Sequence, residues 1–272
     1  MVIPGYAGTL SVPRDRQTAL ITGASAGIGY DLARLMAPDF DLILVARSRD
    51  RLENLRSELQ AKYRTQIHTM PADLSRPEAP EGLFAEVARR GLQVDALINN
   101  AGFGVYGRFS DTSLHEELRM IQLNVTALTQ LTKLALPGML ERRHGRIMNV
   151  ASTAGFQPGP LMAVYYATKA YVISFSEAIA NELKGTGVTV TCLCPGPTET
   201  EFAARAHMEK TRLFKLGAMT SESVARIGLE AMLRGKTLVI PGIKNKLLAQ
   251  SVRFSPRKVV TAIARKIQES VE

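Results

Sequence analysis

Two side chains that could exchange a proton with a substrate stand four residues apart, at Tyr165 and Lys169. The sequence around them predicts a helix over about 164–184, and residues four apart share one helix face. A phenol has a pKa of about 10, which a nearby ammonium lowers by stabilising the phenolate. The pair is therefore a candidate acid–base unit. Tyr166 is a rival for the same role, and an amphipathic helix start is the structural alternative.

Two polar residues lie where the pattern is otherwise apolar. Ser152 ends an apolar strand predicted over 146–152, and Asn124 interrupts the apolar face of a long helix predicted over about 113–143. Each also has a structural explanation, since a serine can cap a helix and a buried asparagine can hold the scaffold by hydrogen bonds. The apolar face of the long helix comprises Leu114, Leu118, Ile121, Val125, Leu128 and Thr132.

Three glycines lie between an apolar strand (18–22) and a helix predicted from Ile28 to Pro38. Gly23, Gly27 and Gly29 permit a tight reversal, and they let a pyrophosphate approach the backbone N–H groups at the helix N-terminus. Structural turns also use such glycines. Here the turn opens the first β–α–β unit, where a dinucleotide site is expected.

The end of the second strand bears on which dinucleotide binds. An acid is expected there for the ribose of NAD, but the sequence has Ala46 followed by Arg47. A guanidinium can clamp a 2′-phosphate, so we expect NADP(H) rather than NAD(H), with Arg49 and Arg51 adding positive field. A solvated loop charge is the alternative for Arg47. Asp73, after the third strand, is read either as an acceptor for the adenine amine or as a turn or cap residue.

Strands alternate with helices along most of the chain, which predicts right-handed crossovers. The strands are near-continuous apolar runs, as in a sheet buried on both faces. We therefore expect an α/β fold: one single-domain, Rossmann-type, doubly wound parallel sheet with helices on both faces. The segment 237–242 is expected to add a strand to it. The predicted divisions are an N-terminal extension (1–16), a catalytic domain (17–242) with a substrate loop at about 197–235, and a C-terminal segment (243–272).

The motifs TGASAGIG, NNAG, QLNVTA, NVAS, YYATK and PGPTET occur over residues 17–200 in the order and spacing of the short-chain dehydrogenase/reductase family, and the sequence resembles its TGxxxGxG, YxxxK branch. The resemblance selects Tyr165 over Tyr166. Many NADP-preferring members of the family have a basic residue within the glycine motif. This sequence departs from them, because it has Ser25 and Ala26 there. The expected cofactor-binding residues are Gly23, Ser25, Ala26, Gly27, Ile28, Gly29, Arg47, Asp73, Leu74, Asn100, Ala101, Gly102, Tyr165, Lys169, Pro195, Gly196 and Thr198.

The resemblance also implies roles. Tyr165 would exchange the proton with the substrate oxygen, and Lys169 would lower its pKa and hold the nicotinamide ribose. Ser152 would polarise the carbonyl, Asn124 would position a water, and Thr198 would hold the carboxamide. No metal is expected. A homodimer or homotetramer would form through the helices that carry Asn124 and Tyr165.

The loops after the strands are expected to bind the substrate, which is a small carbonyl or alcohol compound. Apolar residues in these loops predict an apolar pocket, although lid packing is an alternative. They are Phe103, Phe156, Leu161, Met162 and Phe202. The resulting hypothesis is an NADP(H)-dependent reductase for a ketone or 3-oxoacyl compound. A dinucleotide-sensing binding protein with little turnover is the alternative.

Charge is distributed unevenly along the chain. The net charge is +9, from 34 Lys and Arg against 25 Asp and Glu, and all of the surplus falls within residues 205–272. Because residues 1–204 are neutral as a block, a nucleic-acid partner is not expected. The C-terminal segment predicts a basic amphipathic helix that packs on the body, contacts a membrane peripherally or recruits an acidic ligand. Two cysteines, expected to be reduced, and the lack of a signal-peptide pattern favour the cytoplasm.

Overall fold

A computed structural model describes residues 16–202 and 217–269. Its centre is a sheet of seven parallel strands in the order β3-β2-β1-β4-β5-β6-β9, and a separate parallel pair, β7 and β8, lies beside it. The strands are β1 (Gln17–Thr22), β2 (Phe40–Ala46), β3 (Ile67–Pro71), β4 (Ala96–Asn99), β5 (Gly145–Val150), β6 (Val188–Leu193), β7 (Thr198–Glu199), β8 (Met219–Thr220) and β9 (Leu238–Val239).

Helices connect these strands and cover both faces of the sheet. They are α1 (Gly27–Met36), α2 (Arg49–Lys62), α3 (Ala79–Arg89), α4 (Leu114–Ile121), α5 (Leu128–Glu141), α6 (Ala163–Glu182), α7 (Ser221–Leu233), α8 (Ile243–Ser251) and α9 (Arg257–Gln268). A π-helical segment, Gln122–Ala127, joins α4 to α5, and short 3₁₀ turns lie at Thr153–Phe156 and Val252–Phe254.

Burial on both faces explains the apolar strands. In β1, Ala19 and Ile21 pack on one side with α1, α2 and α7, whereas Leu20 packs on the other side with α3 and α5. Successive strand residues point to opposite faces, so a strand between two helical layers needs apolar residues throughout. The expected single-domain, doubly wound α/β fold is confirmed, and 237–242 contributes β9 to the same sheet.

Two expectations about the long helix need correction, and one segment has more regular structure than its sequence suggested. The long helix is divided by the π-helical segment, and its apolar face is not uniformly buried: Leu114, Leu118 and Ile121 are exposed. The second half of the expected substrate loop is helix α7, which packs against α1. Residues 203–216 of that loop lie outside the described residues, as does most of the 1–16 extension.

In the ranges 16–202 and 217–269, no helix combines the length and the apolar character needed to cross a bilayer.

Candidate active site

The glycine turn is tied to the end of β4 by hydrogen bonds. Thr22 Oγ1 accepts from the backbone N–H groups of Asn100 and Ala101, both at 3.0 Å, and Asn100 Nδ2 donates to the Thr22 carbonyl at 2.9 Å. Gly23 has a φ of +68°, and a Cβ there would lie 2.8 Å from Asn100 Nδ2. Glycine is therefore required both by the backbone conformation and by the close approach of the two strand ends.

Helix α1 begins immediately after this turn with its backbone N–H groups available. Ala26 occupies the N-cap and provides no side-chain hydrogen bond. Gly27, at a φ of +55°, lies so near Thr200 that a Cβ would approach its Cγ2 to 2.9 Å. Ser25 and Ile28 flank this space and are half-buried. A glycine-walled, uncapped helix N-terminus fits a dinucleotide pyrophosphate.

The expected adenosine end lies one strand along, at the ends of β2 and β3. Arg47 is exposed directly after β2. Burial opposes ionisation of Asp73, but hydrogen bonds from Ser75 and the charges of Arg47 and Arg119 outweigh it and lower the pKa of Asp73. Asp73 Oδ1 accepts from Ser75 N at 3.1 Å, which is the turn geometry that the sequence left open.

Leu74 and Arg51 are two further residues at the expected adenosine end. Leu74 is buried beneath Asp73. Arg51 Nη1 lies 2.8 Å from Glu201 Oε1, so its charge is paired rather than added to that of Arg47. The expectation that Arg51 adds positive field is therefore corrected.

Ser152, Tyr165 and Lys169 converge at the carboxyl ends of β4 to β6. Helix α6 carries Tyr165 and Lys169 on one face, and Lys169 Nζ lies 5.7 Å from the centre of the Tyr165 ring. Lys169 Nζ donates to the Val150 carbonyl at 2.8 Å. Ser152 lies close enough to the Tyr165 hydroxyl for hydrogen bonding to affect its ionisation. The residues that the sequence singled out for proton exchange are thus brought together.

Burial determines the direction in which the pKa values of Tyr165, Lys169 and Tyr166 shift. It raises the pKa of the Tyr165 phenol, and the hydrogen bond to Ser152 only partly offsets this effect. It lowers the pKa of Lys169 to about 8, because the ammonium has lost most of its water. The expected lowering of the Tyr165 pKa by Lys169 is not found in this structure, since the desolvation of the phenol dominates. Burial also raises the pKa of Tyr166, to about 12.

Asn124 lies in the π-helical segment and is buried. Its Nδ2 donates to the Phe103 carbonyl at 3.0 Å and to Thr168 Oγ1 at 3.1 Å, while its Oδ1 accepts from Phe103 N at 3.2 Å. Thr168 in turn donates to the Tyr165 carbonyl at 2.7 Å. Asn124 therefore fixes the loop after β4 against the helix that carries Tyr165. Its two donors are both engaged, so the positioning of a water by this side chain stays a prediction.

The remaining expected cofactor residues line the same edge. Gly102 lies between two of the candidate residues, since a Cβ there would be 3.0 Å from Asn124 Oδ1 and 3.6 Å from Lys169 Nζ. Pro195 follows β6, and its carbonyl accepts from Ser152 Oγ at 3.3 Å. Gly196 O accepts from Thr198 Oγ1 at 2.9 Å, which holds this segment in a compact turn.

Apolar side chains surround the Tyr165 ring. Phe202 lies with its ring centre 5.3 Å from that of Tyr165, and Met162 and Phe103 belong to the same cluster. Gly104, which the sequence analysis did not single out, lets Met162, Phe202 and Tyr165 meet, because a Cβ there would approach Met162 Cε to 2.8 Å. Its only signal was its place in a glycine-rich loop.

Two of the expected pocket residues behave differently from the rest. Phe156 packs instead behind the site, in a separate cluster with Val172 and Ile173. Leu161 adopts a φ of +70°, and its carbonyl accepts from Gly107 N at 2.9 Å, so it links the two loops through its backbone.

No metal site accompanies this arrangement in the part of the chain that the structure describes, where no three His, Cys, Asp or Glu residues cluster suitably. Cys192 and Cys194 are buried free thiols behind Lys169, with their sulfurs 3.7 Å apart.

The family model described as short chain dehydrogenase matches residues 17–211. Among curated proteins, the chain is 34% identical to the ketoacyl reductase HetN of Nostoc sp. over 226 residues, covering 82% of this chain and 78% of that protein. It is 30% identical to the very-long-chain 3-oxoacyl-CoA reductase of Rattus norvegicus over 250 residues, covering 89% and 78%.

A solved structure of a short-chain dehydrogenase from Sphingobium yanoikuyae in complex with NADPH superposes with a TM-score of 0.78 at 31% identity, covering 89% of this chain and 97% of that one. The match therefore extends over sequence, fold and the elements that carry the candidate site. The chain belongs to the short-chain dehydrogenase family of oxidoreductases.

Proposed function

We propose that this protein is an NADP(H)-dependent reductase that converts the carbonyl of an apolar ketone or 3-oxoacyl compound to an alcohol. The observation that carries the proposal is the convergence of Ser152, Tyr165 and Lys169 beside the glycine turn, at one edge of the sheet. The ketoacyl and 3-oxoacyl-CoA reductase names of its relatives support a carbonyl substrate.

The dinucleotide would be held by the glycine turn, the N-terminus of α1 and the ends of β2 to β6. The uncapped start of α1 would bind the pyrophosphate, and Arg47 the 2′-phosphate. The NADPH complex of the Sphingobium yanoikuyae relative supports this choice. When bound, the reduced nicotinamide supplies the hydride that the carbonyl carbon receives.

Tyr165 is the proposed proton donor to the carbonyl oxygen. Its buried hydroxyl carries a proton at neutral pH, since the ordinary pKa of a phenol is about 10 and burial raises the pKa of Tyr165 further. The proton is therefore present for transfer, and its release depends on stabilisation of the phenolate by neighbouring groups. Ser152, beside it, would turn its hydroxyl from the Pro195 carbonyl, donate a hydrogen bond to the same oxygen and stabilise the charge that develops there.

Lys169 would stabilise the phenolate as the proton leaves Tyr165. Its ammonium is fixed by the Val150 carbonyl and lies 5.7 Å from the phenol ring. Asn124 and Thr168 act as positioning residues, since their hydrogen bonds hold the backbone of Tyr165 and the loop at Phe103. A preformed arrangement of this kind supplies alignment and charge stabilisation.

The apolar cluster around Tyr165 supports an apolar substrate. Phe103, Met162 and Phe202 lie against the ring that would deliver the proton. Contacts with these side chains would exclude water from the reacting carbonyl, and they would favour a substrate with hydrocarbon on at least one side.

We also propose that two copies associate through the face formed by α4, the π-helical segment and α6. An open apolar depression of about 480 Å³ lies there, lined by Ile121, Val125, Ala163, Val164 and Ala167 among others. Its lining carries no charged side chain, as in the apolar core of a homodimer interface.

The test is NADPH oxidation with a panel of ketones and 3-oxoacyl thioesters. Tyr165→Phe should lower kcat/KM by about 10²–10⁴-fold, the usual contribution of a positioned general acid. Tyr166→Phe is the matched control, because this neighbouring buried tyrosine should be dispensable. Equal losses in both variants would refute the assignment of Tyr165. NADPH binding without turnover on any substrate would instead indicate a dinucleotide sensor.

A further inference from the structure

The C-terminal part of the chain presents apolar side chains to solvent in three consecutive elements. In α8, Ile243, Leu247 and Leu248 are 80%, 62% and 68% exposed, and Phe254 in the following 3₁₀ turn is 90% exposed. In α9, Val259 and Ile263 are 49% and 55% exposed. We call these exposed side chains, together with the basic residues between them, the C-terminal surface.

Contacts on the opposite side fix these helices to the body. Ala249 of α8 and Ala264 of α9 are buried, and Gln268 has no exposed surface. The Tyr106 hydroxyl donates to the Gln268 carbonyl at 2.8 Å, and Asn245 packs against Gly196. Packing of the opposite side therefore directs these apolar side chains outward. An amphipathic helix on the surface of a globular protein would normally direct its apolar side chains inward, toward the core.

Positive charge is interspersed with these apolar residues. Residues 243–269 contain seven basic side chains, Lys244, Lys246, Arg253, Arg257, Lys258, Arg265 and Lys266, and one acidic side chain, Glu269. Arg265 pairs with Glu269 at 3.3 Å. The other six have no acidic group within 4.0 Å among the residues that the structure describes. In α9, Lys258 and Lys266 lie on the same outward side as Val259 and Ile263.

We propose that the C-terminal surface binds an anionic lipid bilayer. Apolar side chains enter the boundary between headgroups and acyl chains, and the surrounding lysines and arginines are attracted to negative headgroups. A soluble acidic ligand would account for the charges but would leave the exposed leucines and Phe254 uncovered. The centre of a protein interface would account for the leucines but is depleted of lysine. The face at α4 and α6, whose lining is apolar and uncharged, shows the contrast.

Flotation with phosphatidylcholine vesicles, made with and without phosphatidylglycerol, tests the proposal on the full chain. Leu247→Ser/Leu248→Ser/Phe254→Ser removes three of the six exposed apolar side chains, and Lys244→Gln/Lys258→Gln removes two charges. Each lysine near an anionic surface strengthens binding about fivefold, so the second variant should bind about 25-fold more weakly. Salt should weaken wild-type binding.

Matched controls change similar residues elsewhere on the surface. Leu140→Ser/Leu233→Ser alters partly exposed leucines, and Lys184→Gln/Lys236→Gln alters exposed lysines, so both should bind as the wild type does. Circular dichroism and the thermal midpoint establish that each variant is folded.

The readout is vesicle binding, so it is independent of the proposed reaction. Binding that requires phosphatidylglycerol, is weakened in both surface variants (about 25-fold in the lysine variant) and is kept in both controls supports the proposal. Absence of wild-type binding, or equal binding by the surface variants, overturns it. So does a finding, by sedimentation, that the leucine and phenylalanine variant only dissociates a dimer, because the surface would then belong to a second copy of the chain.

Discussion

Lys169→Met should remove a specific pH dependence from the stability of the protein. Burial lowers the pKa of Lys169 from 10.5 to about 8 in the folded chain. Between these two values the unfolded chain binds more protons than the folded chain does, so the free energy of unfolding rises with pH in this window. Below pH 8 both states hold the proton, and this stabilisation is absent.

The size of the effect follows from the two pKa values. Between pH 6.5 and 9.5, the linkage of a single group with these values adds about 2 kcal/mol to the free energy of unfolding. Methionine has a similar length and no charge, so the variant should lack this increment. Loss of the hydrogen bond from Nζ to the Val150 carbonyl lowers stability by an amount that does not depend on pH, and it therefore cancels from the comparison.

The assay is urea denaturation of the wild type and Lys169→Met at a series of pH values. The difference between the two free energies of unfolding should change by about 2 kcal/mol across the range, in favour of the wild type at high pH. Lys133→Met, on the exposed side of α5, is the control and should follow the wild-type curve. Parallel curves for the wild type and Lys169→Met would refute the reasoning, because they would mean that folding does not perturb this lysine.

Three further outcomes follow from the geometry. Arg47→Ala should raise KM for NADPH about 10-fold or more, because a charge-assisted contact to a phosphate is lost, and should barely change KM for NADH. Arg51→Ala is the control, because the Arg51 side chain pairs with Glu201. Equal effects of Arg47→Ala on both cofactors would contradict the binding of the 2′-phosphate by Arg47. Gly29→Ala should destabilise the fold by about 1–3 kcal/mol in denaturant titrations and weaken NADPH binding, because a Cβ would overlap Asn100 Nδ2 and the Gly23 carbonyl; an unchanged midpoint would contradict this packing. Ile121→Asp should convert a dimer to a monomer in sedimentation equilibrium, whereas Leu140→Asp should not, and a dimer that survives Ile121→Asp would exclude the face at α4 and α6.

The order of the strands and helices along the chain could be predicted because most strands are largely apolar and the segments between them carry apolar residues at helical spacing. The proximity of Ser152 to Tyr165 is implied by the family resemblance and not by the strand pattern, because Tyr165 lies on helix α6 and not at a strand end. The supporting contacts could not be predicted. One such contact is the hydrogen bond from Asn124 to Thr168. Another is the close approach of Met162 and Phe202 at Gly104. Both depend on the conformation of loops, which the periodic pattern of apolar residues does not predict.

The long helix shows why the sequence does not predict which side of a helix is buried. Its buried residues include Met120, Asn124 and Leu131 and, from the predicted face, the later residues Leu128 and Thr132. Leu118 and Ile121 occupy an adjoining apolar side that faces outward. A helix with two apolar sides gives the same periodic signal whether the second side is core or surface. Only the packing of α6 beside it separates the two cases.

The ionisation of Tyr165 and Lys169 sets the protonation state from which the proposed reaction would start. The pKa of Lys169 is about 8, below the raised pKa of Tyr165, so the ammonium loses its proton before the phenol does as pH rises. In the resting site a phenolate beside an ammonium is therefore a minor state, and desolvation of the phenol sets the direction of the Tyr165 pKa shift. At neutral pH the site holds a protonated phenol beside an ammonium. Under the proposed function, this is the state that would donate the proton in carbonyl reduction, whereas alcohol oxidation would begin by removing the proton from Tyr165.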